Sequence, residues 1–144
     1  MYYGYRNLKM RPFRDELFHL DEQGGGYLIA NRCEKCQITF FPKREFCVRC
    51  YKSDRLNEII LSKVGRLHTF TTVYRSTPDF KTAYTVGYVD LDKDGVRIFG
   101  PISDCKPEDL CVGMRMELTF DRKNIISNAK DSDKLLIYKF RPLK

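Results

Sequence analysis

Tryptophan is absent from this 144-residue chain, and histidine occurs only twice. So few histidines leave little material for proton transfer near neutral pH. His19 falls in an N-terminal segment and His68 in a long β-like run, where packing is the ordinary role. There is no G-x-S-x-G, no P-loop and no G-x-G-x-x-G, which excludes a nucleophile elbow and the two common phosphate-cradling loops. No apolar run approaches the roughly 20 residues that cross a bilayer, so no membrane insertion is expected. Met1 to Arg6 lacks the apolar core of a signal peptide, and a reducing cytoplasm is the expected location. Internal repeats and low-complexity stretches are also missing.

A concentrated basic tail is missing too. The net charge is +7, with +3 in residues 1–62 and +4 in residues 63–144. This diffuse surplus suits polyanionic partners, either nucleic acid or a phosphorylated cofactor such as coenzyme A, and it serves solubility equally well. The hydrophobic fraction is 42%, enough for a packed core.

What the chain does have is Cys33 to Cys50. Two C-x2-C pairs, Cys33/Cys36 and Cys47/Cys50, stand ten residues apart. Each pair closes a tight turn round one side of a tetrahedral ion, and the stretch between is long enough to run out and back. Four thiolates suit one structural zinc ion. An iron centre of the rubredoxin type uses the same spacing. Disulfides would need an oxidising compartment, and a thioredoxin-like site needs one C-x2-C opening a helix.

Residues 1–10 are aromatic and basic without periodicity. Pro12, Phe13, Leu17, Phe18 and Leu20 predict an amphipathic helix over about 12–22, ended by Gly24 to Gly26. Tyr27 to Arg32 and Ile38 to Pro42 read as the strands flanking the first cysteine pair. Leu56 to Leu61 is a further strand. Val64 to Arg75 alternates, but neither side is purely apolar, so a bent barrel strand is expected. Ser76 to Thr82 is a loop, and Tyr84 to Leu91 and Val96 to Pro101 form a hairpin about Asp94-Gly95. A helical turn at Lys106 to Leu110 precedes the alternating Met114, Met116, Leu118 and Phe120. The segment from Asp121 to Lys134 is polar, and Leu135 to Phe140 is the last strand. Five strands with a helical turn between the third and fourth give the profile of a Greek-key OB barrel, with an SH3-like barrel as the competitor. The expected architecture is mainly β: an N-terminal arm and helix over 1–26, a zinc ribbon over 27–55, and an OB-fold domain over 56–144.

Binding features outnumber catalytic ones. Lys43 and Arg44 lie between aromatic strands of the ribbon. Arg66, His68, Phe70, Thr72, Tyr74 and Arg75 place rings and cations along one strand, followed by Phe80 and Lys81. Rings beside cations suit stacking on a base while pairing with a phosphate. They suit equally a solvated strand whose aromatics fill the barrel. Cys105 and Cys111 remain as free thiols, and Lys106 beside Cys105 is slight support for a reactive one. The chain is read as not being an enzyme by itself.

The ribbon, followed by Gly65-Arg66-Leu67-His68-Thr69-Phe70-Thr71-Thr72-Val73 and by Cys105-Lys106-Pro107-Glu108-Asp109-Leu110-Cys111-Val112-Gly113-Met114, resembles the rubredoxin-like zinc-ribbon/OB-fold proteins associated with acyl-CoA enzymes. The likeness runs from about Phe13 to Pro142. It implies an N-terminal helical segment, a ribbon and an OB barrel. It also implies a thiolase-fold partner, with coenzyme A or an acyl-CoA held where helix, ribbon and barrel meet. Archaeal members of that family work in acetoacetyl-CoA and hydroxymethylglutaryl-CoA formation, and some bacterial members in steroid or fatty side-chain degradation. The implied role is a non-catalytic scaffold subunit, with single-stranded nucleic-acid binding as the alternative. Lys43 and Arg44 would meet phosphates, with Arg44 favoured by the family's Phe-Pro-Pro-Arg pattern. Arg75 adds a cation to the strand, and Phe41, Phe70, Tyr74 or Phe80 would cover adenine or pantetheine. Gln37 and Val48 depart from the Gly and Pro common at those positions. The ribbon is expected to set Phe41 and Arg44 opposite the barrel's first strand.

Overall fold

The structure, a computed structural model, describes residues 10–12, 17–20, 25–75, 83–121 and 134–144. Its strands are β1 Met10–Pro12, β2 Phe18–Leu20, β3 Gly26–Cys33, β4 Ile38–Phe40 and β5 Leu56–Ile60, then β6 Val64–Val73, β7 Tyr84–Leu91, β8 Val96–Ile102, β9 Arg115–Asp121 and β10 Lys134–Pro142.

β6 to β10 close into a barrel. β6 pairs with β7 and β7 with β8, β8 runs parallel to β10, β10 pairs with β9, and β9 returns to β6. This five-strand circuit has the OB order expected from the alternation. A single 3-10 turn at Pro107–Asp109 joins β8 to β9. Leu110, which follows it, is buried and belongs to the core. The β7–β8 turn ends on Gly95 at φ 66°, a left-handed conformation that glycine adopts without steric penalty.

The long strand bends as expected. Its register with β7 shifts between Leu67 and Thr69, so His68 is the extra residue of a β-bulge. Before the bulge the odd-numbered Gly65 and Leu67 are buried, and beyond it Phe70 and Thr72 are partly buried. One inserted residue has exchanged the faces, which explains why neither side reads as purely apolar.

The expected helix over 12–22 is not there. Pro12 ends β1, which runs parallel to β10, and Phe18–Leu20 is a strand antiparallel to β3. The apolar residues that suggested a helical face also satisfy strand alternation at Phe18 and Leu20. Tertiary contact decides between the two. Phe18 is 1% exposed and packs on Phe120 and Tyr138, with ring centroids at 5.1 and 6.4 Å. Phe13, the arm before Met10, the whole 76–82 loop and residues 122–133 lie outside the described residues.

β3 is the strand that joins the modules. Its first half pairs with β2, and its second half is flanked by β4 and β5. Leu28 and Ala30 share one core with the barrel residues Leu67, Val89, Leu91, Ile98, Met116 and Phe140. A separate small cluster surrounds the cysteines, formed by Cys33, Phe40 and Cys47 with Ile38 and Leu56 against it. No helix among the described residues is long and apolar enough to cross a membrane.

Candidate functional site

The four sulfurs of Cys33, Cys36, Cys47 and Cys50 all lie within 4.8 Å of one another. Tetrahedral zinc–thiolate bonds of about 2.3 Å require sulfurs about 3.8 Å apart, and Cys33 and Cys50 stand at 3.8 Å. The donor set therefore fits one zinc ion. Two knuckles build it. In the first, the Gln37 amide donates to the Cys33 carbonyl at 2.8 Å. In the second, the Tyr51 amide donates to the Cys47 carbonyl at 2.9 Å and the Cys47 amide to the Lys52 carbonyl at 3.0 Å. The Arg49 amide points at the Cys47 sulfur, 3.4 Å away.

The electrostatics call for a cation. Backbone amides, that of Cys50 foremost, hold Cys47 down to about 7. Desolvation, followed by hydrogen bonding to the other three sulfurs, pushes Cys36 up to about 12. Four thiolates do not accumulate here without a positive ion among them.

The segment between the knuckles is fixed by an asparagine that no motif or spacing singles out. Asn31, 7% exposed, donates from Nδ2 to the Arg44 carbonyl at 2.6 Å and accepts from the Arg44 amide at 3.2 Å. Arg44 then lays its guanidinium over the Phe40 ring at 5.6 Å. Lys43 pairs with Glu58 on β5 at 2.9 Å. Phe41 turns the other way and meets Tyr138 of β10. Its ring partner among the described residues thus comes from the last barrel strand, where the first was expected; Phe18 of β2 likewise packs on Phe120 and Tyr138.

The other predicted contacts are dispersed. Phe70 packs partly buried against the barrel core. Tyr74, 74% exposed, and the exposed Arg75 follow β6. Phe80 lies outside the described residues. Cys105 is partly buried, and burial followed by Asp109 and Asp104 raises its thiol pKa, the opposite of what a nucleophile requires. His68, Asp90 and Arg97 form one surface cluster. Arg97 Nε is 2.6 Å from Asp90, and His68 Nδ1 is 3.3 Å from it. Beside them Tyr88 and Phe99, opposite each other in register, pair their rings at 5.2 Å on the outer face. Counting back from the Asp94-Gly95 turn would have found that pair.

The family model described as the ChsH2 rubredoxin-like zinc ribbon domain matches residues 26–57, and that of the ChsH2 C-terminal OB-fold domain matches residues 59–121. A DUF35 domain-containing scaffold protein of Methanocaldococcus jannaschii is 37% identical over 81% of this chain and 82% of its own length. The chain belongs to the DUF35 family. Another relative is the benzoylsuccinyl-CoA thiolase subunit BbsA of Thauera aromatica, 31% identical over 81% of this chain and 77% of its own. The solved Ltp2-ChsH2(DUF35) aldolase contains a chain of the same fold, with a TM-score of 0.64 and 22% identity over 81% of this chain and 84% of that one. Membership of the DUF35 family thus accords with the four-thiol site and the barrel, and its relatives include proteins named as scaffolds and as a thiolase subunit.

Proposed function

We propose that this DUF35 protein is a non-catalytic scaffold subunit that partners a thiolase-fold enzyme and holds coenzyme A or an acyl-CoA beside it. The observation that carries the reading is the likeness, over four-fifths of the chain, to a protein named as a thiolase subunit. The site agrees in kind. A closed S4 site has no open coordination position for Lewis-acid work, and the thiol of Cys105 is held protonated. Zinc, when bound, supplies rigidity to the ribbon.

Arg44 is the better of the two ribbon cations for a cofactor phosphate. Lys43 is already engaged by Glu58, whereas among the described residues the Arg44 guanidinium lies over the Phe40 ring with no carboxylate partner and keeps its donors for an anion. Tyr74 and Arg75 offer an adjacent ring and cation at the exposed end of β6. Titration calorimetry with coenzyme A tests the reading, on the chain and on its complex with a co-purifying thiolase-type protein. Heat of binding that disappears in Arg44→Ala is expected. Absence of binding to both samples would remove the cofactor role.

Single-stranded nucleic-acid binding is a second reading, favoured by the exposed Tyr88/Phe99 pair. Its nearest cations count against it: Arg97 is engaged by Asp90, and Arg66 lies 3.7 Å from Asp92. Oligonucleotide affinity that falls steeply with salt would support it, and flat titrations at low salt would eliminate it.

A further inference from the structure

Gln37 and Tyr51 follow the second cysteine of each knuckle, and both have left-handed backbones, at φ 58° and 61°. A side-chain-bearing residue is strained in that region, where glycine is not. Gln37 has its own compensation: it accepts from Arg32 at 2.8 Å and donates to the Glu34 carbonyl at 2.6 Å. Tyr51 has none. Its side chain is 76% exposed and has no hydrogen-bond or ring partner among the described residues. Glycine would serve this turn better, so the fold gives no reason for a tyrosine here.

Tyr51 does not stand alone. Phe46 and Val48 are 52% and 44% exposed in the same knuckle. Arg49 and Lys52 lie among them without an ion pair among the described residues, and no Asp or Glu occurs between Phe46 and Ser53. An aromatic centre flanked by unneutralised cations is the composition of an interface anchor. The knuckle is a tight turn closed on itself by the Cys47 and Tyr51 amides, so it suits insertion into a partner and not enclosure of a small molecule.

We infer that the second knuckle, Phe46 to Lys52, is the plug by which this chain docks its partner protein, with Tyr51 as the anchor. The surface that receives it is an apolar pocket rimmed by carboxylates, complementary to Arg49 and Lys52. The inference rests on the proposed function and assigns the pocket to the thiolase-type subunit.

The test measures affinity between the zinc-loaded chain and its co-purified thiolase-type protein. Tyr51→Gly removes the ring and relieves the backbone together. It should keep one zinc per chain and leave the melting temperature unchanged or higher, while weakening association tenfold or more. Arg49→Glu with Lys52→Glu should weaken it further and reverse its salt dependence, because salt then screens a repulsion between carboxylates. Binding of Tyr51→Gly within twofold of the parent overturns the inference and leaves the proposed function standing. An effect of Tyr51→Gly on oligonucleotide binding alone overturns it in favour of nucleic acid. A parent chain that captures no thiolase-type protein overturns both.

Discussion

Phe41 meets Tyr138 edge to face, with ring centroids 6.0 Å apart and planes at 78°. One ring comes from the ribbon and the other from the last barrel strand. The Tyr138 hydroxyl donates to the Phe99 carbonyl at 2.7 Å, so the ring is held from its far end. Through this contact and Phe18, the metal-bearing module is fixed against the barrel.

Phe41→Ala should therefore loosen the two modules from each other. Truncating a core phenylalanine costs about 3–5 kcal/mol. Phe41 is only half-buried, so roughly 2–3 kcal/mol is expected, read by urea unfolding. Zinc content should not change, because the cysteine cluster is separate from this contact.

Tyr138 itself should titrate late. Burial pushes its phenol up to about 12 from the ordinary 10.0. The folded state holds this proton more tightly than the unfolded chain does, so its contribution is complete below pH 10. It is lost progressively between pH 10 and 12. Absorbance titration should show one tyrosine ionising about two pH units above exposed ones, and Tyr138→Phe should flatten the alkaline fall in stability.

Much of this was legible in the residues, for identifiable reasons. The C-x2-C spacing dictates knuckle geometry whatever surrounds it. Asp94-Gly95 marks a turn that only a residue tolerant of positive φ completes. Met116, Leu118 and Phe120 point inward because strand alternation admits no other period. The segment at Phe18 and Leu20 failed because its spacing fits both helix and strand, and the decision lies in Phe120 and Tyr138, a hundred residues away. Tyr51 was illegible because nothing but glycine or asparagine announces a left-handed residue. The candidate cofactor residues were named by type, and type does not tell that Lys43 faces Glu58 or that Phe41 faces Tyr138.

The surface cluster should respond to acid. The Arg97 hydrogen bond holds the Asp90 carboxyl below its ordinary value, with His68 adding a smaller attraction. Stability from this pairing is present above the ordinary carboxylate pKa and is lost as pH falls through the lowered one. Arg97→Met should return the Asp90 titration, followed by carboxyl NMR, toward the usual range. His68→Ala should move it less in the same direction.

Removal of the metal should divide the molecule along the boundary between its two clusters. Chelation leaves Cys33, Cys36, Cys47 and Cys50 as crowded thiols whose turns close around nothing, and structural zinc sites derive much of their folding energy from the ion. The amides of Gln37, Cys47 and Tyr51, whose bonds lie inside the knuckles, should then exchange rapidly with solvent. Leu28 and Ala30 belong to the barrel's core and not to the cysteine cluster, so the first half of β3 should stay protected together with Leu67 and Val89. Hydrogen exchange read by mass spectrometry after treatment with a zinc chelator distinguishes the outcomes. Protection lost only over about residues 33–57 shows that zinc organises the ribbon while the barrel holds its base. Simultaneous loss at Leu67 and Val89 would show that β3 makes the two modules one cooperative unit.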